Sequence, residues 1–144
     1  MDKYRKSGHT THQCKYHFVW VPKYRFKVLV GDVKEELKKI MMEICESMEI
    51  VIIQGSIQQD HVHLYISVPP RYSPSEVMKR IKGKSAERLW KRFPELRKRY
   101  WGQHVWARGY FVTTGGIEDG VIKKYIQEQD DEEQKSEQLR LWDD

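Results

Sequence analysis

Residues 60–77 read DHVHLYISVPPRYSPSEV, and they hold a strand, a stop and a helix start in one run. His61 and His63 alternate with Val62 and Leu64, the two-residue period of a strand with one apolar face. On a helix the two imidazoles would point about 200° apart, whereas on a strand they share one side. Pro69-Pro70 ends the strand, because proline cannot donate to a ladder. Ser73-Pro74-Ser75-Glu76 then opens a helix: Ser73 is the cap, Pro74 sits in the first turn and Glu76 closes the capping box.

Working outward, the segment EIVIIQGSI (49–57) is a β-branched run, and Gln58 and Gln59 turn it into the histidine strand. Before it, Val33, Leu37, Ile40, Met41, Ile44 and Met48 recur at three and four residues, predicting a helix that starts at Asp32 with Glu35 in a capping box. That stripe reads as core. Further back, Cys14, Tyr16, Phe18 and Trp20 alternate with Lys15, His17 and Val19 as a first strand ending at Pro22. On the other side, Val77, Ile81 and Leu89 are the inward positions of the Ser73 helix. Beyond Pro94 the sequence predicts an irregular aromatic stretch, then HVWARGYFVTT (104–114) as a fourth strand broken by Gly115-Gly116. A last helix, roughly 118–129, carries Val121, Ile122, Tyr125 and Ile126. The order β-α-β-β-α-β is the α+β, ferredoxin-like arrangement, an antiparallel sheet with two helices on one face, followed here by one more helix. Such a fold hosts many functions and does not choose among them.

The chain has 144 residues, enough for one core; we expect a single domain over 1–129 and an acidic tail over 130–144. Net charge is +5, but the tail carries seven acids and two bases, so the rest is strongly basic. Residues 71–99 alone hold eleven Lys/Arg against three Glu. One basic helix is usually just a solvated face. Bases interleaved with aromatics, as in RLWKRFPELRKRYW (88–101), point instead to a phosphate-bearing partner. Helix facing selects Lys79, Arg80, Lys82, Lys84 and Arg88 as candidate nucleic-acid contacts. Cys14 and Cys45 lack metal or disulfide spacing, and neither a secretory leader nor a membrane-spanning run is recognisable, so a cytoplasmic protein is expected.

The bland reading of His61 and His63 is a pair of exposed polar strand residues. Their Cα atoms would lie roughly 7 Å apart, two strand rises, which also lets both imidazoles meet one cation. Tyr125 and Gln129, spaced i and i+4, share a helical face. Tyr125 reads either as an ordinary amphipathic aromatic or as a nucleophile whose phenol needs help from a base or cation. Gln129 could add an amide oxygen to the two imidazoles, and such an open N/O set suits Mg²⁺ or Mn²⁺. The chemistry implied is attack of Tyr125 on a phosphodiester, giving a 5′-phosphotyrosyl link and a free 3′-hydroxyl. The ester energy is retained, so no nucleotide cofactor is required.

His61-Val62-His63 is a histidine–hydrophobic–histidine (HUH) motif, and with GYFVTTGG (109–116) and YIQEQ (125–129) it resembles the single-tyrosine HUH transposases of IS200-like insertion sequences. The resemblance extends through YHFVWVPKYRFKVL (16–29), DHVHLYISVPPRYSPSEVMKRIKGKSA (60–86) and FPELRKRYWGQHVWARGYFVTTGG (93–116). It implies the HUH nuclease fold and a metal-dependent strand transferase acting on single-stranded DNA with hairpins near the element's ends. Tyr125 would be the nucleophile, and His61, His63 and Gln129 the metal ligands. It further implies a homodimer whose active sites combine the histidines of one subunit with the tyrosine helix of the other. Gly115-Gly116 suits such an exchange, since two glycines tolerate unusual backbone angles. Three alternatives stay open: a domesticated relative that processes chromosomal palindromes, a non-catalytic single-stranded nucleic-acid-binding module, and a metallohydrolase that uses water in place of Tyr125.

Overall fold

The computed structural model describes residues 5–7, 10–12, 14–102, 104–114, 124–125 and 127–128. Its centre is a four-stranded antiparallel sheet in the order β4-β5-β3-β6, built from β3 (Lys15–Trp20), β4 (Val51–Gln58), β5 (His61–Ser67) and β6 (Phe111–Thr113). Helix α1 (Gly31–Ser47) crosses from β3 to β4, and α2 (Pro74–Arg92) leads from β5 toward β6. This is the ferredoxin-like arrangement expected from the sequence. Among the described residues, no helix is long and apolar enough to cross a membrane.

The core lies between one sheet face and the two long helices. Phe18 and Trp20 of β3 and Val62, Leu64 and Ile66 of β5 meet Leu37, Ile40 and Ile44 of α1 and Val77, Ile81 and Leu89 of α2, all buried. Removing side chains of this size from water is the main favourable term, about 1.5–3 kcal/mol for each fully buried one. The alternation on β3 and β5 leaves His17 and Val19, and His61, His63 and Tyr65, on the opposite face. In β4 the register shifts between Ile52 and Gln54, so Ile53 is an extra, bulged residue. The bulge lets Ile52 and Ile57, five positions apart, both face the helices, which a regular two-residue period forbids. Gln54, Ser56 and Gln58 consequently line the imidazole side, opposite Tyr65, His63 and His61.

The Ser73 cap forms as expected: Glu76 N–H donates to Ser73 Oγ, and Ser73 N–H donates to the Glu76 carboxylate. The expected box at Asp32 and Glu35 does not. Helix α1 starts one residue earlier, at Gly31, with Val30 as its N-cap and no side-chain capping bond. Two further differences have local causes. Pro94 opens a short helix, α3 (Pro94–Arg99), where the sequence predicts an irregular stretch, because proline is favoured in a first helical turn. The fourth strand shrinks to Phe111–Thr113: Trp106 makes only an isolated bridge to Pro22, and Gly109, at φ +85°, turns the chain before β6. A hairpin of β1 (Arg5–Ser7) and β2 (Thr10–His12), which the sequence pattern does not announce, precedes the sheet.

Candidate active site

Three imidazoles gather on the face that the helices leave open. His61 and His63 come from β5 and His17 from neighbouring β3. His61 Nδ1 lies 3.0 Å from Asp60 Oδ1, and the other carboxylate oxygen, Oδ2, is 3.3 Å from Arg25 Nε. His63 Nε2 lies 3.2 Å from His17 Nδ1, and the His17 ring stacks on Tyr65 at 3.9 Å with an interplanar angle of 6°. Burial first, and a neighbouring imidazole second, hold both His17 and His63 below the ordinary histidine pKa of 6.5. Neutral imidazoles are the form that binds cations.

Tyr125 belongs to the same face. Residues 124, 125, 127 and 128 are helical, and Tyr125 packs half-buried against Val21 and Ala107. Its ring lies 6.0 Å from that of Phe111. Phe111 is the register partner of Val19, and Val19 is the partner of His63, so all three project to one side of the sheet. The phenol therefore docks on the imidazole side of its own sheet, on a small apolar seat. Gln129, Gly115 and Gly116 and the tail over 130–144 lie outside the described residues.

The donor chemistry fits a divalent cation in part. With Nδ1 engaged by Asp60, His61 has Nε2 left to present to a cation. His63 has its Nε2 on His17, so a cation must either use its Nδ1 or take the place of that contact. Among the described residues no three His, Cys, Asp or Glu side chains converge as a complete site. The pair offers two nitrogens, and the remaining positions of the shell fall to an amide, a phosphate or water.

The basic candidates divide by structure. Lys79, Arg80 and Lys84 are exposed and make no ion pair among the described residues. Lys82 instead donates from Nζ to the carbonyls of Ala107 at 2.8 Å and Gly109 at 2.9 Å, tying α2 to the segment that leads into β6. Burial pushes its ammonium pKa down to about 8. Arg88 pairs with Glu43 of α1 and lies 4.0 Å from Glu36. Both therefore spend their charge inside the fold, because helix spacing reports which way a side chain faces but not what meets it there. His17, Asp60 and Arg25 carry the opposite message. Alternation places His17 on the correct face of its strand, yet only the β3–β5 register reveals that it meets His63.

The chain as a whole is similar to known proteins. The family described as "Transposase IS200 like" matches residues 10–129. The transposase for insertion sequence element IS200 of Salmonella typhimurium is 35% identical over 134 residues, 93% of this chain and 88% of the relative. A Deinococcus radiodurans R1 crystal structure, described as that of a candidate transposase, superposes with a TM-score of 0.78 at 30% identity, covering 87% of this chain and 97% of its own. The same fold recurs in a REP-associated tyrosine transposase bound to a REP hairpin, with a TM-score of 0.53, 11% identity and 81% and 66% of the two chains covered. With a match that spans the sheet, both long helices and the tyrosine segment, this chain belongs to the IS200-like transposase family.

Proposed function

We propose that the protein cleaves and rejoins single-stranded DNA at insertion-sequence ends, with Tyr125 as the nucleophile. The observation that carries this reading is the seating of Tyr125 on the sheet face that holds His61 and His63. The phenol oxygen attacks the phosphorus of a phosphodiester; the new Tyr–O–P bond forms as the P–O3′ bond breaks, and the departing 3′-oxygen takes up a proton. Reversal by a 3′-hydroxyl from another end releases the tyrosine and joins the strands. A Mg²⁺ or Mn²⁺ ion held by His61 and His63, with Gln129 as third ligand, would supply Lewis-acid polarisation of the phosphate oxygen. Lys79, Arg80 and Lys84, exposed on α2, are the proposed stem contacts. Hairpin-bearing single-stranded DNA is the proposed substrate, in keeping with the hairpin named for the REP-associated structure.

The proposed assembly is a cytoplasmic homodimer in which the tyrosine of one subunit serves the histidines of the other. The apolar seat formed by Val21, Ala107 and Phe111, which here holds the chain's own Tyr125, is the place the exchanged tyrosine would take.

The test is formation of a denaturation-resistant adduct. Labelled single-stranded hairpin DNA incubated with the protein and Mn²⁺ should yield a covalent complex, and Tyr125→Phe should yield none. An adduct that survives this substitution would overturn the assignment of Tyr125 and point to another side-chain nucleophile, whereas cleavage with no adduct at all would favour a water-dependent metallohydrolase. Mixing Tyr125→Phe with His61→Ala subunits should restore adduct formation through one composite site per heterodimer; absence of rescue would show that each site is built within one chain.

A further inference from the structure

The structure assigns Arg25 and Asp60 a task of their own: they are positioning residues that fix the His61 imidazole for its cation. This rests on the proposal that His61 is a ligand. Asp60 occupies the two-residue turn between β4 and β5, directly before His61. Its two oxygens are both committed, Oδ1 to His61 Nδ1 at 3.0 Å and Oδ2 to Arg25 Nε at 3.3 Å. A carboxylate so engaged is poorly placed to be a ligand itself. It is well placed to accept the Nδ1 proton, which leaves the lone pair on Nε2 and stops the ring from turning.

Arg25 is held there by an unusual backbone. Tyr24 and Arg25 are consecutive non-glycine residues in the left-handed region, at φ 60° and 50°. Such a conformation is costly for residues with a Cβ and persists only where the surroundings enforce it. The enforcement is visible: Lys23 N–H donates to Val105 O at 2.8 Å, Arg25 N–H to Pro22 O at 2.8 Å and Leu29 N–H to Gln59 O at 3.0 Å. The last of these fastens the Arg25 segment to the turn that contains Asp60. An extended backbone at 24 and 25 would aim the guanidinium elsewhere. The strained turn thus serves to keep Arg25 on Asp60, and Asp60 on His61.

The test has two readouts that do not require DNA cleavage. Long-range ¹H–¹⁵N spectra of the metal-free protein at pH 8 should show His61 as the Nδ1–H tautomer, and Asp60→Ala should shift it toward Nε2–H. Mn²⁺ titration followed by electron paramagnetic resonance should show Asp60→Ala weakening binding roughly 10–100-fold. Asp60→Asn, which keeps an acceptor oxygen, should retain most of the affinity, and Arg25→Gln should fall between the two. Unchanged melting temperatures would separate positioning from misfolding. A native Nε2–H tautomer, or Mn²⁺ affinity unchanged in Asp60→Ala, would overturn the assignment. His61→Ala probes the parent reading separately: if it leaves Mn²⁺ binding intact, the metal site is wrong, while the tautomer spectra still judge Asp60.

Discussion

His63 sits between two other imidazoles, touching His17 and feeling the charge of His61 if either protonates. The pH consequence has a definite sign. His17 and His63 titrate below 6.5 in the folded chain and near 6.5 when unfolded. In the interval between, the unfolded chain holds protons that the folded chain has released, so stability falls as pH drops below 6.5. Above that value these two groups contribute no slope. Thermal melts of metal-free protein between pH 7.5 and 5 should therefore show a falling Tm, with a shallower fall in His17→Asn. Identical slopes in the two proteins would assign the acid sensitivity to other groups.

Helix α2 shows how one element can carry two kinds of basic residue. Lys82 is a tether, since its Nζ caps the carbonyls of Ala107 and Gly109. Lys82→Met keeps the aliphatic stem but removes both bonds, leaving the exposed Gly109 carbonyl to water and the Ala107 carbonyl part-buried, and should cost about 0.5–1.5 kcal/mol in urea unfolding. The register of α2 was legible in the sequence because Ser73, Pro74 and Glu76 are local signals, readable without knowing what the helix packs on. The Asp32–Glu35 box was misleading for the complementary reason. Gly31, at φ +55°, and Val30 in extended conformation set the start of α1 through backbone geometry that the capping pattern does not encode. In the site, the β5 histidines were legible from alternation alone. The Arg25–Asp60–His61 chain was not, because it depends on a left-handed turn and on a contact between residues 35 positions apart.

At the scale of the whole molecule the charge is uneven: residues 71–99, which span α2 and α3, hold eleven Lys/Arg against three Glu, while residues 130–144 hold seven acids against two bases. If Lys79, Arg80 and Lys84 meet phosphates, their replacement by Gln should flatten the salt dependence of DNA affinity by about 0.7–0.9 log units per log salt for each phosphate no longer neutralised. Lys82→Met should leave that slope in place under conditions where the protein remains folded. A slope unchanged in the triple variant would move the DNA path off this face of α2. The sheet beneath has a further property, which follows from the bulge at Ile53. Strand β4 contains one residue of slack. Removing Ile53 would let Ile52 and Gln54 follow one another in regular register, with both faces of the strand preserved. Strand β5 has no such reserve, and losing one residue within it would send either the imidazoles or the core side chains to the wrong side. The histidine strand is thus the ruler against which the sheet is measured, and its neighbour is where errors of length can be absorbed.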